Sequence, residues 1–157
     1  MNCRLINIGK TDGIYANDCI NTYSKRLQQY VKFGMEDLIL FKKTPKISKE
    51  ELKKREGEAI VKKVRSTDHI VLLDEKGKEY TSHEFAKWFE KKMNSGVSNI
   101  CFITGGAFGF SDDVYRMANE KISLSKMTFN HQMVRAFFVE QLYRAFSIIN
   151  NHPYHNE

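Results

Sequence analysis

Apolar positions along the chain follow two periods, and the switches between them mark out the elements. Residues 3–8 form a short apolar run closed by Gly9, which predicts a strand. Ala16, Ile20, Tyr23, Leu27 and Tyr30 then recur at three- and four-residue spacing, the pattern of one helix face. Residues 35–41 predict a second strand, with Met35, Asp37 and Ile39 alternating. Pro45 breaks the chain. Ser48 and Glu51 form a capping box opening a helix to about residue 64, with Leu52, Glu56, Ala59, Ile60 and Val64 inward and Gly57 weakening it. Residues 69–73 and 99–104 are continuous apolar runs, as in parallel strands buried on both faces. Between them, residues 74–77 read as a turn. Thr81 and Glu84 form another capping box, and Phe85, Trp88, Phe89 and Met93 make a helical stripe ended by Gly96. Ser111 is placed to cap a helix with Asp112 and Asp113 in its first turn. Residues 121–124 predict a last strand, 125–130 a loop, and 131–149 a long amphipathic helix whose inner residues are Val134, Phe137 or Phe138, Leu142, Ala145, Phe146 and Ile149.

Strand and helix therefore alternate about five times, without internal repeat or low-complexity tract. That order predicts a single α/β domain over residues 1–157, a mostly parallel sheet with helices on both faces. Ligands of such sheets bind outside the carboxyl ends of the strands. Three segments should converge there: Leu73 with its turn, residues 105–109, and residues 125–130.

Composition narrows the class. Of 157 residues, 41% are hydrophobic and 28% charged, which excludes a disordered chain. The formal net charge of +6 favours polyanionic partners: RNA, DNA or an acidic membrane surface. The helix from Ser48 is rich in lysine (Lys49, Lys53, Lys54, Lys62, Lys63). A solvated face explains this more simply than RNA contact does. Cys3, Cys19 and Cys101 are too widely spaced for a disulfide framework or a metal-ligand pair, and a reducing compartment suits them. Neither a signal peptide nor a run of membrane-spanning length is present, so the cytoplasm is expected.

Candidate chemistry lies at the strand ends. Glycines at 105, 106 and 109, after a strand and before a helix, let backbone approach a ligand closely. Their spacing is G-G-x-x-G, not the dinucleotide fingerprint G-x-G-x-x-G, and they follow the fourth strand rather than the first. The stretch 123–130, SLSKMTFN, places Met127 and Phe129 in a loop, either packed beneath the last helix or lining an adenine or thioether pocket. His131 and Arg135 share a face of the last helix. The tail Asn150-Asn151-His152-Pro153-Tyr154-His155 is either disordered or an aromatic and acid–base set that closes over a substrate. Histidines and carboxylates do not fall into a metal-binding spacing, so no metal is expected and His152 and His155 are not read as ligands.

Taken together, INIGK at 6–10, LLDEKGK at 72–78, FITGGAFG at 102–109, SLSKMTFNHQMVR at 123–135, EQLYRAF at 140–146 and NHPYH at 151–155 resemble the SPOUT class of methyltransferases. Within that class the chain is similar over its whole length to the ribosomal large subunit methyltransferase H family, which methylates N3 of a pseudouridine in helix 69 of 23S rRNA. The resemblance implies an α/β knot, the C-terminal part tied in a deep trefoil that holds S-adenosylmethionine in a bent shape. It implies cofactor contacts from Leu73, Gly105, Leu124, Ser125, Lys126, Met127, Thr128 and Phe129. It also implies a homodimer with each site completed across the interface, and an assembled ribosome as substrate. Two positions depart from the commoner pattern: Asn130 stands where many members carry proline, and Asn156 where a basic residue is frequent.

On this resemblance the expected reaction is an in-line displacement on a sulfonium carbon by a base nitrogen that must lose its proton, which calls for a general base or a stabiliser of the developing anion. The catalytic candidates are Tyr154 and His155 from the tail, Arg135 to place a phosphate or base oxygen, and His131 in second place. A non-enzymatic RNA-binding module would explain the basic charge, but not glycine-rich and Met/Phe-bearing strand ends brought together.

Overall fold

A computed structural model describes residues 1–41, 43 and 46–155. The expected break at Pro45 and the tail-tip position Asn156 lie outside them. The elements run β1 (Asn2–Ile8), α1 (Ile14–Leu27), β2 (Lys32–Leu38), α2 (Lys49–Lys63), β3 (His69–Glu79), α3 (Ser82–Asn94), β4 (Asn99–Thr104), α4 (Asp112–Met117), β5 (Glu120–Ser123) and α5 (His131–Ile149). Every strand pairing is parallel, in the order β2-β1-β4-β3-β5. Parallel strands need crossover connections, and the α-helices between them supply these.

Alternate side chains of the strands feed two cores. Cys3, Leu5, Val71, Ile100 and Phe102 face the layer of α1, α3 and α5. Ile6, Ile8, Leu72, Cys101 and Ile103 face α2 and α4. The centre of the first core is aromatic: the rings of Phe89 and Phe146 lie 5.1 Å apart, and those of Phe102 and Phe138 4.6 Å apart. Burial pushes the Cys3 and Cys101 thiols up to about 12, so both stay protonated and act as small apolar residues.

Several boundaries differ from the sequence reading. The second strand is Lys32–Leu38, not 35–41, because its length is set by the partner it pairs with. The seven residues of β1 pair from Asn2 with Lys32 to Ile8 with Leu38, and the ladder stops where Gly9 turns away at φ 82. Ile39, 59% exposed, continues past the sheet. Residues 74–77 do not end the third strand: β3 runs to Glu79. Ile122 of β5 is the register partner of Leu73 and again of Lys78, so the intervening residues bulge out and return to the same strand. The last strand is Glu120–Ser123, one residue earlier than expected.

The capping signals hold in part. Thr81 and Glu84 make both halves of a capping box, at 3.2 and 2.8 Å. Ser48 accepts from the Glu51 amide at 3.1 Å, while the Glu51 carboxylate accepts from Arg55 at 2.7 Å. Ser111 occupies its cap position without a capping hydrogen bond, because α2 packs on it: a Cβ on Gly57 would fall 2.2 Å from Ser111 Oγ. Gly57, a weak helix residue in sequence terms, is what lets α2 approach α4. On α5 the ambiguity resolves in favour of Phe138, which is buried, whereas Phe137 is 40% exposed.

Candidate active site at the strand ends

The loops at the carboxyl edge of the sheet enclose a groove of ≈ 1370 Å³. Leu73, Gly105, Leu124, Ser125, Met127, Thr128 and Phe129 all line it, so three segments remote in sequence meet in one place. Lys126 does not line it; its side chain is exposed, with its ammonium 3.9 Å from Glu79. A smaller hollow of ≈ 490 Å³ adjoins Asp74 and Tyr115, whose hydroxyl donates to Asp74 at 2.6 Å.

Local chemistry shapes each wall. The last loop is held by small hydroxyls: Ser123 donates to the Ser125 carbonyl at 2.9 Å, and Ser125 Oγ accepts from the Met127 amide at 2.9 Å. Its apolar residues stay outward. Met127 is 77% exposed, and the Phe129 ring lies 5.0 Å from that of Phe137. Asn130 ends the loop as N-cap of α5, its side chain accepting from the Gln132 amide at 2.8 Å. Asparagine at this position thus fixes the start of the helix by capping it. On the β4 side, a Cβ on Gly105 would press on the Phe110 ring at 3.3 Å, and one on Gly106 would overlap the Glu56 carboxylate at 2.3 Å. A side chain at either glycine would have to displace Phe110 or the Glu56 carboxylate.

Behind the groove runs a buried polar network that the sequence did not reveal. Thr104 donates to Asn7 (2.9 Å), and Asn7 to Asp37 (2.9 Å). Asp37 also accepts from the amide and hydroxyl of Thr11 at 2.6 and 3.0 Å. Arg135 completes it, donating to Thr11 Oγ1 at 2.7 Å and to the Ile8 carbonyl at 2.6 Å. Gln132, also buried, ties α5 to the Lys10 carbonyl at 2.9 Å and receives the Asp12 amide at 3.2 Å. The network joins the end of β4 to the first turns of α5.

This corrects the expectation for Arg135. Its side chain is fully buried and lines no part of the groove, tied instead to Thr11 and Ile8 behind it. Burial works against its charge, and Asp37 and Asp12 work to retain it. Arg135→Met should leave the Ile8 carbonyl and the Thr11 hydroxyl without their donor, lowering stability by about 2 kcal/mol. Denaturant unfolding checks this, with a loss below about 0.5 kcal/mol contradicting the assigned role.

His131 is exposed at the first residue of α5 and lines the groove. The tail is ordered but lies elsewhere. Asn151, at φ 52, turns the chain back after α5, and the Tyr30 hydroxyl shares a hydrogen bond with His152 Nδ1 at 2.5 Å. Tyr154 packs on Tyr23 and Tyr143, its hydroxyl 2.8 Å from that of Tyr23 and donating to Glu140 at 2.9 Å. Burial, with the Tyr23 and Glu140 contacts, holds the Tyr154 hydroxyl far above its ordinary range, so it remains a proton donor. His155 Nδ1 accepts from Arg144 at 3.1 Å, and its ring stands 4.9 Å from that of His83. Neither Tyr154 nor His155 lines the groove of its own chain.

No group of three or more His, Cys, Asp or Glu placed to hold a metal ion occurs among the described residues, and no helix there is long and apolar enough to cross a membrane.

A family model described as "Predicted SPOUT methyltransferase" matches residues 1–155. Among curated proteins, the chain is 50% identical over 157 residues to the ribosomal RNA large subunit methyltransferase H of Flavobacterium psychrophilum, covering 100% of both chains. It is equally 50% identical, again over 100% of both, to the protein of that name from Parabacteroides distasonis. Among solved structures, a probable methylase family protein of Haemophilus influenzae superposes with a TM-score of 0.53 at 16% identity, covering 96% of this chain and 66% of the other, a likeness of fold.

Proposed function

The chain belongs to the SPOUT methyltransferase family, and on that premise we propose that it methylates large-subunit ribosomal RNA from S-adenosylmethionine, at N3 of a pseudouridine in helix 69 of the assembled ribosome. One observation carries the reading: Leu73, Gly105 and, from the last loop, Leu124, Ser125, Met127, Thr128 and Phe129, three segments remote from one another in the chain, line a single groove.

The residues of this groove suit the cofactor. Adenosine needs apolar faces and exposed backbone polar groups. Leu73, Leu124, Met127 and Phe129 offer the first, and the main chain beside Gly105 and Gly106 offers the second because Cβ atoms are absent. Ser125 and Thr128 add hydroxyls, and Lys126 would contribute its backbone. When bound, the cofactor supplies an electrophilic methyl group. In this reading the C-terminal part carries the trefoil knot of the family. A Cβ on Gly77 would strike main-chain atoms of Lys121 and Ile122, so the segment before Lys78 lies directly against β5.

The protein acts as a homodimer in this reading. Tyr154 and His155 lie away from their own groove and would complete the groove of a second copy. Gln132 holds the start of α1 against α5, and exposed Ile14, Tyr15 and Phe137 sit on these two helices, apolar area suited to a two-fold interface. The Tyr154 hydroxyl, which keeps its proton, and His155, backed by Arg144, would stabilise the anion developing on the base. His131 orients the loop at the groove rim, and Arg135 holds the wall behind it. The basic surface of the dimer would dock on RNA phosphates. In this reading the enzyme works in the cytoplasm, with no membrane partner and no metal.

Two measurements test this. Calorimetry should give one S-adenosylmethionine site per subunit. Mass spectrometry should find one added methyl group on 23S rRNA when ribosomes lacking the modification are incubated with protein and cofactor. Absence of cofactor binding, or a methyl group appearing only on another RNA, refutes the assignment.

A further inference from the structure

The groove extends beyond the cofactor-facing loops. Past Gly106 it passes over the ends of β1 and β2, where Lys10, Leu40 and Phe41 line it together with Leu52 and Lys53 of α2. Glu56 stands at the junction of the two halves. It lines the groove, yet is only 8% exposed, and its carboxylate fills the space that a Cβ on Gly106 would occupy. Its Oε2 is buried without a hydrogen-bond partner. An orphaned carboxylate oxygen in such a place is costly, and a donor from a bound molecule relieves the cost.

The other acids of the groove are otherwise engaged. Asp12 is exposed and accepts from Gln132 at 3.1 Å. Asp74 accepts from the Tyr115 hydroxyl and the Lys76 amide, at 2.6 and 2.8 Å. Glu75 is exposed to water. The Ser111 hydroxyl, also without a partner, lies against Gly57 and does not line the groove. Glu56 is thus the groove acid that is both desolvated and open to a new donor.

We propose that Glu56 accepts the imide proton of the target base, which enters the half of the groove over β1, β2 and α2. The inference rests on the base-methylating function proposed above. Leu40, Phe41 and Leu52 offer apolar contact to an unstacked base, and Lys10 and Lys53 offer charge to its flanking phosphates. As the ring nitrogen gives its proton to a Glu56 oxygen, its electron pair forms the bond to the methyl carbon. The carbon–sulfur bond breaks with its pair on sulfur, leaving a neutral thioether, and Glu56 returns the proton to water once the product leaves. Desolvation raises the Glu56 carboxyl above the usual carboxylate range, which brings it closer to the imide it must deprotonate.

The experiment compares E56Q and E56D with the natural protein on ribosomes lacking the methyl group, by single-turnover rate, affinity for S-adenosylhomocysteine and melting temperature. Glutamine keeps the volume beside Gly106 but cannot take a proton. E56Q should melt within about 3 °C of the natural protein. It should bind the thioether within about threefold and transfer methyl about 100-fold more slowly, with E56D recovering about tenfold of that loss. A rate for E56Q within about threefold of the natural one overturns the proposal. So does a fall in thioether affinity that matches the fall in rate, which would assign the carboxylate to the cofactor. So does an aspartate variant no faster than the glutamine one. A natural protein inactive on these ribosomes overturns the underlying function as well, whereas activity untouched by E56Q overturns this assignment alone.

Discussion

Gly77→Ala should lower the melting temperature by roughly 6–12 °C, the equivalent of about 3 kcal/mol in a chain of this size. The position looks harmless in the sequence, a glycine in a polar turn. In the fold its missing side chain faces main chain. A Cβ there would lie 2.5 Å from the Ile122 carbonyl carbon, 2.6 Å from the Ile122 nitrogen and 2.7 Å from the Lys121 carbonyl carbon. A flexible side chain could rotate away; the backbone of a paired strand can only shift with its ladder, and β5 pairs with β3 on both sides of this glycine. Its φ is not positive, so the demand is for closeness and not for a left-handed conformation. Because β3 carries Leu73 and β5 leads into Leu124, the displacement should also weaken cofactor binding by about tenfold or more, read by calorimetry. Gly34→Ala is the control. Its Cβ would meet nothing within 4 Å, and it should alter stability by less than about 0.5 kcal/mol. Equal melting of the two variants would mean that the contact between β3 and β5 is not as tight as described.

The double variant Tyr154→Phe with His155→Ala should lose methyl transfer by about 100-fold or more while binding cofactor like the natural protein, since the two residues lie outside the groove of their own chain. Loss of the Tyr154 hydroxyl also removes one partner of Glu140. That carboxylate keeps Arg144 at 2.5 Å and Gln141 at 2.8 Å, so the fold should change little. Mixing subunits tells a local from a cross-subunit role. A Gly106→Val chain, whose side chain would collide with the Glu56 carboxylate, should fail to bind cofactor. When it is co-expressed with the tail variant, half the dimers are mixed, and in each mixed dimer one groove and one tail are both intact. Activity should then return to about a quarter of the natural level. If the mixture stays as inactive as either parent, the tail acts on its own chain or not at all.

Much of this architecture is written locally. Runs buried on both faces, 69–73 and 99–104, are apolar throughout and declare themselves as inner parallel strands. The stripe of Phe85, Trp88 and Phe89 and the capping pair Thr81–Glu84 mark α3 as the structure has it. These features depend on neighbours within a few residues, and sequence displays such neighbours directly. The alternation of strand and helix also placed the three segments that line the groove at one sheet edge, while the cofactor and the knot came only with the family resemblance.

What tertiary structure decided depends on partners far along the chain. β2 begins and ends where β1 lets it, so Ile39 and Phe41 leave the sheet for the groove. Arg135 looks like a cationic contact on an amphipathic helix, but Ile8 and Thr11 from the other end of the chain bury it. Glu56 looks like one more acid in a lysine- and glutamate-rich helix. In the fold its carboxylate lies against Gly106, with one oxygen buried and without a donor, between the two halves of the groove. A buried polar group takes its character from what surrounds it, and for Glu56 the deciding neighbour, Gly106, lies fifty residues along the chain.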